Sequence, residues 1–340
     1  MTTLLLILAL LQSIQDVYKS ANADFDAGKW ADAAAKYEQV LKEDSMHIPS
    51  RFNLAVCYTK TGKIDQAIAA YRTLLNQNNT IYEVRINLAL LLDQNGKRAE
   101  AEQQFEEALL LRPDDVQAEL NVGMFYLRGG DTDKAYPHLF RLADKGITSA
   151  ELYVALSEIE HVRKNEPKSR DYLEKAIQLD PKNTRLLHQL AASYYEGKDY
   201  AKAAPVLEQL TKVEPLNPDY FYLLGKCYEQ LKRYPQALAA LQQVLRIKPD
   251  DFETYATISA IFFAQEDWTR AAQALMRMIE LRPGEALAHF ILATCLDKLG
   301  NARQALVHYN EFLKLDDGSN DARSFQARER AKTLDRRLKR

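Results

Sequence analysis

The sequence is sparing with cysteine, tryptophan and glycine, with three, two and twelve in 340 residues. Each scarcity removes a class of protein. The glycines never gather into a phosphate-cradling loop, which excludes the common nucleotide-binding signatures. Paired Cys motifs and a Gly-x-Ser-x-Gly elbow are absent and the six histidines are scattered, so no signature of catalysis, a cofactor or a metal centre is present. A formal net charge of -2, with 47% hydrophobic and 27% charged residues, describes an ordinary globular chain, neither disordered nor fibrous. No run reaches the ~20 apolar residues that a spanning helix requires.

What the sequence does contain is repetition. The stretch "NLAVCYTKTGKIDQAIAAYRTLL" is echoed by "YLLGKCYEQLKRYPQALAALQQVL" and "ILATCLDKLGNARQALVHYNEFL". Anchored on Ala67, Ala237 and Ala305, the pattern recurs every 34 residues without insertion, so repeats begin at 14, 48, 82, 116, 150, 184, 218, 252 and 286 and fill residues 14–319. A fixed period of this length signals stacked units that share one continuous core. Position 8 is always small (Ala21, Ala55, Ala89, Gly123, Ser157, Ala191, Gly225, Ser259, Ala293), and position 20 is eight alanines and Ser169. Small side chains permit close backbone approach. Large apolar residues at positions 7, 11, 24 and 27, such as Leu54, Tyr58, Tyr71 and Leu74, share one helical face. Each repeat therefore reads as helix, turn, helix.

Turn chemistry agrees. Gly28, Gly62, Gly96, Gly130 and Gly300 stand at position 15, where a positive φ ends the first helix, and Pro113, Pro181, Pro215, Pro249 and Pro283 stand at position 32, where the second stops. In these small, aromatic and proline positions the chain resembles the tetratricopeptide repeat family. That resemblance implies an all-α, right-handed superhelical solenoid of antiparallel helix pairs whose first helices line a concave groove.

Two repeats depart from the pattern. The first has Ser20 and Asp24, and the fifth Glu160 and Glu166, where the others are mostly apolar. For the fifth, a loosely packed repeat and a hinge or local binding feature are both open. Residues 320–340 form a basic amphipathic capping helix, with eight Lys/Arg against three Asp/Glu over 321–340 and an apolar face expected at Ala322, Phe325, Ala331, Leu334 and Leu338. A basic arm for nucleic acid or an anionic membrane is the sharper alternative, and nothing else in the chain supports it. Residues 1–13, "MTTLLLILALLQS", are too short to span a bilayer and fit the core of a signal peptide of a bacterial, exported and periplasmic protein. With no Lys or Arg ahead of it, this segment also reads as an apolar helix docked on the first repeat of a cytoplasmic protein.

Cys57, Cys227 and Cys295 all occupy position 10, the nearest two being two repeats apart. Helices pack about 8–10 Å apart, so such thiols lie well beyond the ~7 Å Cα limit of a disulfide. They are filler side chains. Glu158 and His161 of the fifth repeat and His188 and Tyr195 of the sixth could share a groove wall, and ordinary groove polarity accounts for them better than a ligand set.

By family resemblance, positions 2, 5, 6, 9, 12 and 13 line the groove. Position 6 carries Asn53, Asn87 and Asn121 in succession. A carboxamide offers two donors and an acceptor, which suits the regular N–H and C=O groups of an extended peptide, and the row resembles the asparagine ladder of peptide-gripping members of the family. These side chains are expected to point into the groove, clear of the helix contacts. The family's clamp for an acidic C-terminus is matched only by its asparagines: its positions hold Tyr18, Asn22, Asn53, Glu83 and Asn87, with every cation missing. Aromatic groups at Tyr18, Phe52, Tyr195, Tyr222, Phe263 and Phe290, with His188, complete the expected peptide-binding set. The expected function is a non-enzymatic adaptor or scaffold that binds a partner protein or extended peptide, without cofactor or metal. A self-associating structural scaffold with stacked ends, and hence a homo-oligomer, is the second reading.

Overall fold

The structure, a computed structural model, describes residues 2–316 and 321–339, with side chains from residue 13 onward in the first stretch and from 322 in the second. The passage from the ninth repeat into the tail at 317–320 and the side chains of the apolar run at 2–12 lie outside the described residues. Within them every regular element is an α-helix. First helices run Ile48–Lys60, Tyr82–Gln94, Val116–Arg128, Ala150–Val162, Thr184–Glu196, Pro218–Gln230, Phe252–Ala264 and Ala286–Lys298, each starting where its repeat starts. Second helices start at Trp30, Ile64, Arg98, Thr132, Glu166, Tyr200, Tyr234, Trp268 and Ala302. In the first repeat the apolar run and the first helix form one helix, Thr2–Asp26.

Polar residues at the two turns start these helices. Asp115, Ser149, Asn183 and Asp251 accept from the backbone N–H of the first helix that follows, and Asp131, Asp199 and Asp267 do the same for second helices. Each cap satisfies a donor that a helix end leaves orphaned. The chain divides into two compact units, residues 1–172 and 173–340, and the division falls inside the second helix of the fifth repeat, Glu166–Leu179. In each unit helices pack on their sequence neighbours.

The contact that permits this packing is at positions 8 and 20. All eight alanines at position 20 are 0% exposed. In the fifth repeat the two rows touch through hydroxyls, Ser157 Oγ lying 3.0 Å from Ser169 Oγ. A methyl added to Gly123 would fall 2.5 Å from the Leu139 side chain, and one added to Gly225 2.8 Å from Leu241, so the facing helix has no room for it. Position 24 closes on position 8 from the second helix.

The fifth repeat is not loosely packed along its first helix. Leu152, Leu156 and Ile159 are 0% exposed, and the buried Glu160 accepts from Asn165 Nδ2 at 3.0 Å. In the first repeat Lys36 reaches across to both Ser20 and Asp24, so a polar bridge replaces the expected apolar pair. The three thiols are buried and free, and burial pushes Cys57, Cys227 and Cys295 up to about 11, 12 and 11.

The tail helix, Asp321–Leu338, packs on the last second helix, Ala302–Leu315. Its buried stripe is Ser324, Ala327, Ala331 and Leu334, which corrects the expected face. Phe325 is 66% exposed and Leu338 42%. Ala327 continues the small row at the 34-residue spacing, and a stripe centred on it leaves Phe325, two residues back and some 200° around the helix, on the open side.

The five position-15 glycines have φ between 72° and 79°, and the other four repeats, the fifth to the eighth, hold the same turn with Lys164, Lys198, Lys232 and Glu266 at φ 56° to 60°. An L-residue in this region costs about 1–2 kcal/mol, partly offset by the lower chain entropy of a non-glycine. Lys198→Gly is therefore expected to stabilise the chain by about 0.5–1 kcal/mol in denaturant unfolding. Ala237→Leu, which adds methylenes to the tightest helix contact, is expected to destabilise it by about 1–3 kcal/mol in the same measurement.

Candidate peptide-binding face

The asparagine row does not simply face solvent. Tyr37, at position 24 of the first repeat, donates its hydroxyl to Asn22 Oδ1 at 2.6 Å, while Asn53 Nδ2 donates to the Tyr37 oxygen at 3.0 Å and to Asn22 Oδ1 at 3.4 Å. Tyr37 is 0% exposed; burial pushes its phenol up to about 12 against the hydrogen bond from Asn53. Tyr71, one repeat on, is raised to about 12 by the same burial, against the opposing influence of Thr59 and Asn87. The third repeat has Phe105 at this position, which offers no hydroxyl. Asn121 accordingly meets no phenol, and its Oδ1 accepts from Gln117 Nε2 at 3.1 Å. So Asn22 and Asn53 are half-buried and satisfy a tyrosine between helices, with Asn87 half-buried too, which corrects the expectation that the row stands clear of helix contacts. Asn121 is the rung held only at the surface.

Aromatic groups at position 5 lean on position 24 of their own repeat. Ring centroids are 6.2 Å apart for Tyr18 and Tyr37, 6.2 Å for Phe52 and Tyr71, and 6.1 Å for Phe290 and Tyr309. Tyr18 and Phe52 stay half-buried, Tyr18 also lying edge-on to His47 at 4.9 Å. Phe290 is buried at 9% exposed, closed over by Phe312 as well. This corrects its place among the groove anchors: it is a core residue.

Position 12 pairs with position 17 across the turn. The rings of Tyr195 and Tyr200 are 5.5 Å apart and those of Phe263 and Trp268 5.1 Å, both edge-on. His161 uses the same geometry to meet Glu166 at 2.8 Å. Phe263 is 36% exposed, so it presents one face with the other fixed. His188 is exposed and lies 6.2 Å from the Tyr220 ring.

In the second unit the sequence reading missed Lys226, at position 9. Its ammonium meets Glu229 at 2.5 Å and is about one quarter exposed. Burial pulls it down, but the Glu229 carboxylate and the Tyr222 and Tyr195 phenols outweigh that and raise it. Tyr195 is in turn raised by burial, against the pull of Lys226. Tyr222 comes within 3.5 Å of Thr257 Oγ1, the position-6 residue of the next repeat. Lys226 is the one lysine in a position-9 row that otherwise reads Asn22, Val56, Leu90, Met124, Glu158, Ala192, Ala260 and Thr294, and that was the available signal. Farther on, Thr294, Lys298, Tyr309, Phe325 and Arg330 border an open cavity of ≈ 630 Å³ between the ninth repeat and the tail helix. Phe325, misplaced by the sequence reading, belongs to this face.

The two kinds of rung separate by stability. Asn53→Ala removes a donor from a buried phenol and is expected to cost about 0.5–1.5 kcal/mol. Asn121→Ala is expected to stay within about 0.5 kcal/mol of the parent, both read by denaturant unfolding.

Comparisons with known proteins fit this geometry. The chain is similar to a tetratricopeptide repeat protein from Parabacteroides merdae, at 17% identity over 69% of this chain and 93% of that one, with a TM-score of 0.52. PilF of Pseudomonas aeruginosa matches at 17% identity over 61% of this chain and 94% of that one, TM-score 0.45. A MamA fragment, 41-end, from Desulfovibrio magneticus RS-1 matches at 20% over 51% and 99%, TM-score 0.42. At these identities the likeness concerns the fold. No curated protein sequence matches the chain. Two family profiles, each described as tetratricopeptide repeat, match residues 24–83 and residues 86–150, 188–252 and 261–320. With helix pairs in a 34-residue register, small residues at the helix contact and these matches over most of its length, the chain belongs to the tetratricopeptide repeat family.

Proposed function

We propose that the chain is an adaptor that binds an extended polypeptide along the exposed face of its first helices, without catalysing a reaction. Tetratricopeptide repeat proteins are generally protein-interaction scaffolds, and their fold is typically non-catalytic. The observation that carries the finer reading is the row of carboxamides at Asn53, Asn87 and Asn121, repeated at one position and partly open. A polypeptide backbone presents donors and acceptors at regular intervals whatever its side chains, and carboxamides can meet both. In the second unit Tyr222, Tyr195 and Phe263 are half-open aromatic anchors and Lys226 a partly desolvated cation. These favour a client with spaced apolar side chains and an acidic group. The same proposal places the array outside the cytosol, supported by the apolar run in residues 1–13 and by three thiols without exposed surface.

The test is a peptide selected on the purified chain from a random library of linear peptides. Asn121→Ala should weaken its binding by the net worth of one hydrogen bond, about 0.5–1.5 kcal/mol, with melting unchanged. The triple change at Asn53, Asn87 and Asn121 should weaken it by about two to three orders of magnitude, and scrambling the peptide's polar side chains should matter little. Binding of the selected peptide that survives the triple change would refute the carboxamide row as its grip.

A further inference from the structure

The contact between positions 4 and 23 joins the two helices of a repeat on side chains that differ every time. It is Arg85 with Gln104 at 2.9 Å, Glu119 with His138 at 2.6 Å, and Tyr153 with Tyr172 through rings 6.2 Å apart. In the ninth repeat it is His289 with His308, whose Nδ1 atoms lie 3.0 Å apart.

The other nitrogen of His289 fixes its protonation. Nε2 lies 3.1 Å from the Pro283 carbonyl oxygen, which can only accept, so Nε2 carries the hydrogen. Position 4 makes this bond to the preceding turn elsewhere too, through obligate or natural donors: Arg51 to the Ser45 carbonyl, Arg85 to Asn79 and Tyr255 to Pro249. His289 Nδ1 therefore presents a lone pair, and in the free protein His308 Nδ1–H must donate to it. His289 is 5% exposed and His308 half-buried, so the pair is reached from the His308 side. Burial, with His289 beside it, holds His308 below the usual imidazole range, with Glu311 opposing. Glu311, one turn along the same helix, lies near enough to feel both rings and is held by Lys314 at 2.7 Å.

We propose that His289 and His308 form a two-imidazole chelating site for a borderline divalent transition-metal ion of the zinc class. Neutral imidazoles are the preferred ligands of such ions, and a ligating histidine commonly donates its second N–H to a carbonyl, as His289 does to Pro283. Two nitrogens on a tetrahedral zinc are about 3.3 Å apart, from Zn–N bonds of about 2.0–2.1 Å, so the rings separate by only a few tenths of an ångström. His308 changes tautomer, its hydrogen leaving Nδ1 for Nε2 through solvent, with no net proton release. Among the described residues no group of three or more His, Cys, Asp or Glu is placed to hold a metal, so water completes the coordination and the ion exchanges readily.

Zn²⁺ alone, titrated calorimetrically into the full chain, tests the site. One ion per chain should bind, and His308→Gln should weaken it by roughly tenfold or more, the loss that even an outer-shell partner can produce. Glutamine is tolerated there, since Gln104 holds the same position of the third repeat. His161→Gln, which removes the separate pair with Glu166, should leave Zn²⁺ binding unchanged. Imidazole ¹⁵N spectra of the unaltered chain supply a readout independent of any variant, with His289 and His308 moving first as Zn²⁺ is added. Absence of binding, equal affinity in His308→Gln, or spectra in which only the other four histidines move would overturn the assignment.

Discussion

Two backbones approaching at positions 8 and 20 form the contact on which the rest of the structure depends. The side chains there contribute little apolar area of their own, but their smallness brings the flanking leucines and tyrosines into register. Leu139 and Leu241 can be nearly inaccessible because Gly123 and Gly225 stand across from them, and burying such side chains is the dominant favourable contribution to folding. Ser157 and Ser169 show that size rather than hydrophobicity is the constraint. Their hydroxyls satisfy one another, so neither is left with the desolvation cost of an unpaired buried group.

Once that distance is set, the remaining positions divide between holding and presenting. Position 24 is buried in every repeat, whether as Leu, Phe or Tyr. Where it is Tyr37 its hydroxyl needs partners, and the neighbouring Asn22 and Asn53 supply them at the edge of the face proposed to meet a client. Position 11 behaves similarly on the other side: Tyr58 donates to Glu38 at 2.7 Å and Tyr126 to Glu102 at 3.0 Å, each reaching the repeat before it. Tyr194 and Tyr228 reach Glu174 and Glu208 in the same way. The face proposed to meet a client would be pre-organised, because its side chains are already held by the core beneath them.

The register, the turn glycines and the burial of the three thiols were legible in the sequence, since each follows from a residue type at a fixed offset. Four non-glycine turns were not, because lysine or glutamate at positive φ announces nothing by composition. The position-5 aromatics were misread for a related reason. A periodic row fixes the helical face but not how far a ring leans toward the second helix, and Phe290 is covered by Tyr309 and Phe312 while Tyr222 is not. Phe325 failed in the opposite direction: a loose apolar stripe was drawn through it, when the small residue at Ala327 already marked the buried centre. Lys226 and the histidine pair went unnoticed because they belong to rows whose chemistry changes from repeat to repeat.

That variability gives the array an internal order. The helical scaffold would accept one repeat in place of another, since all share the small contact and the 34-residue helix–turn–helix register. The hydrogen bonds between neighbours would not. A repeat ending in Tyr37 set before one lacking a carboxamide would lose one of its phenol's two partners, and one ending in Phe105 would leave the asparagine that follows without a phenol. Unequal recombination between the tandem segments would change chain length by whole repeats and preserve periodicity and core, yet remove polar matches at each new seam. The sequence of repeats is in this sense a sentence with a syntax rather than a string of interchangeable words.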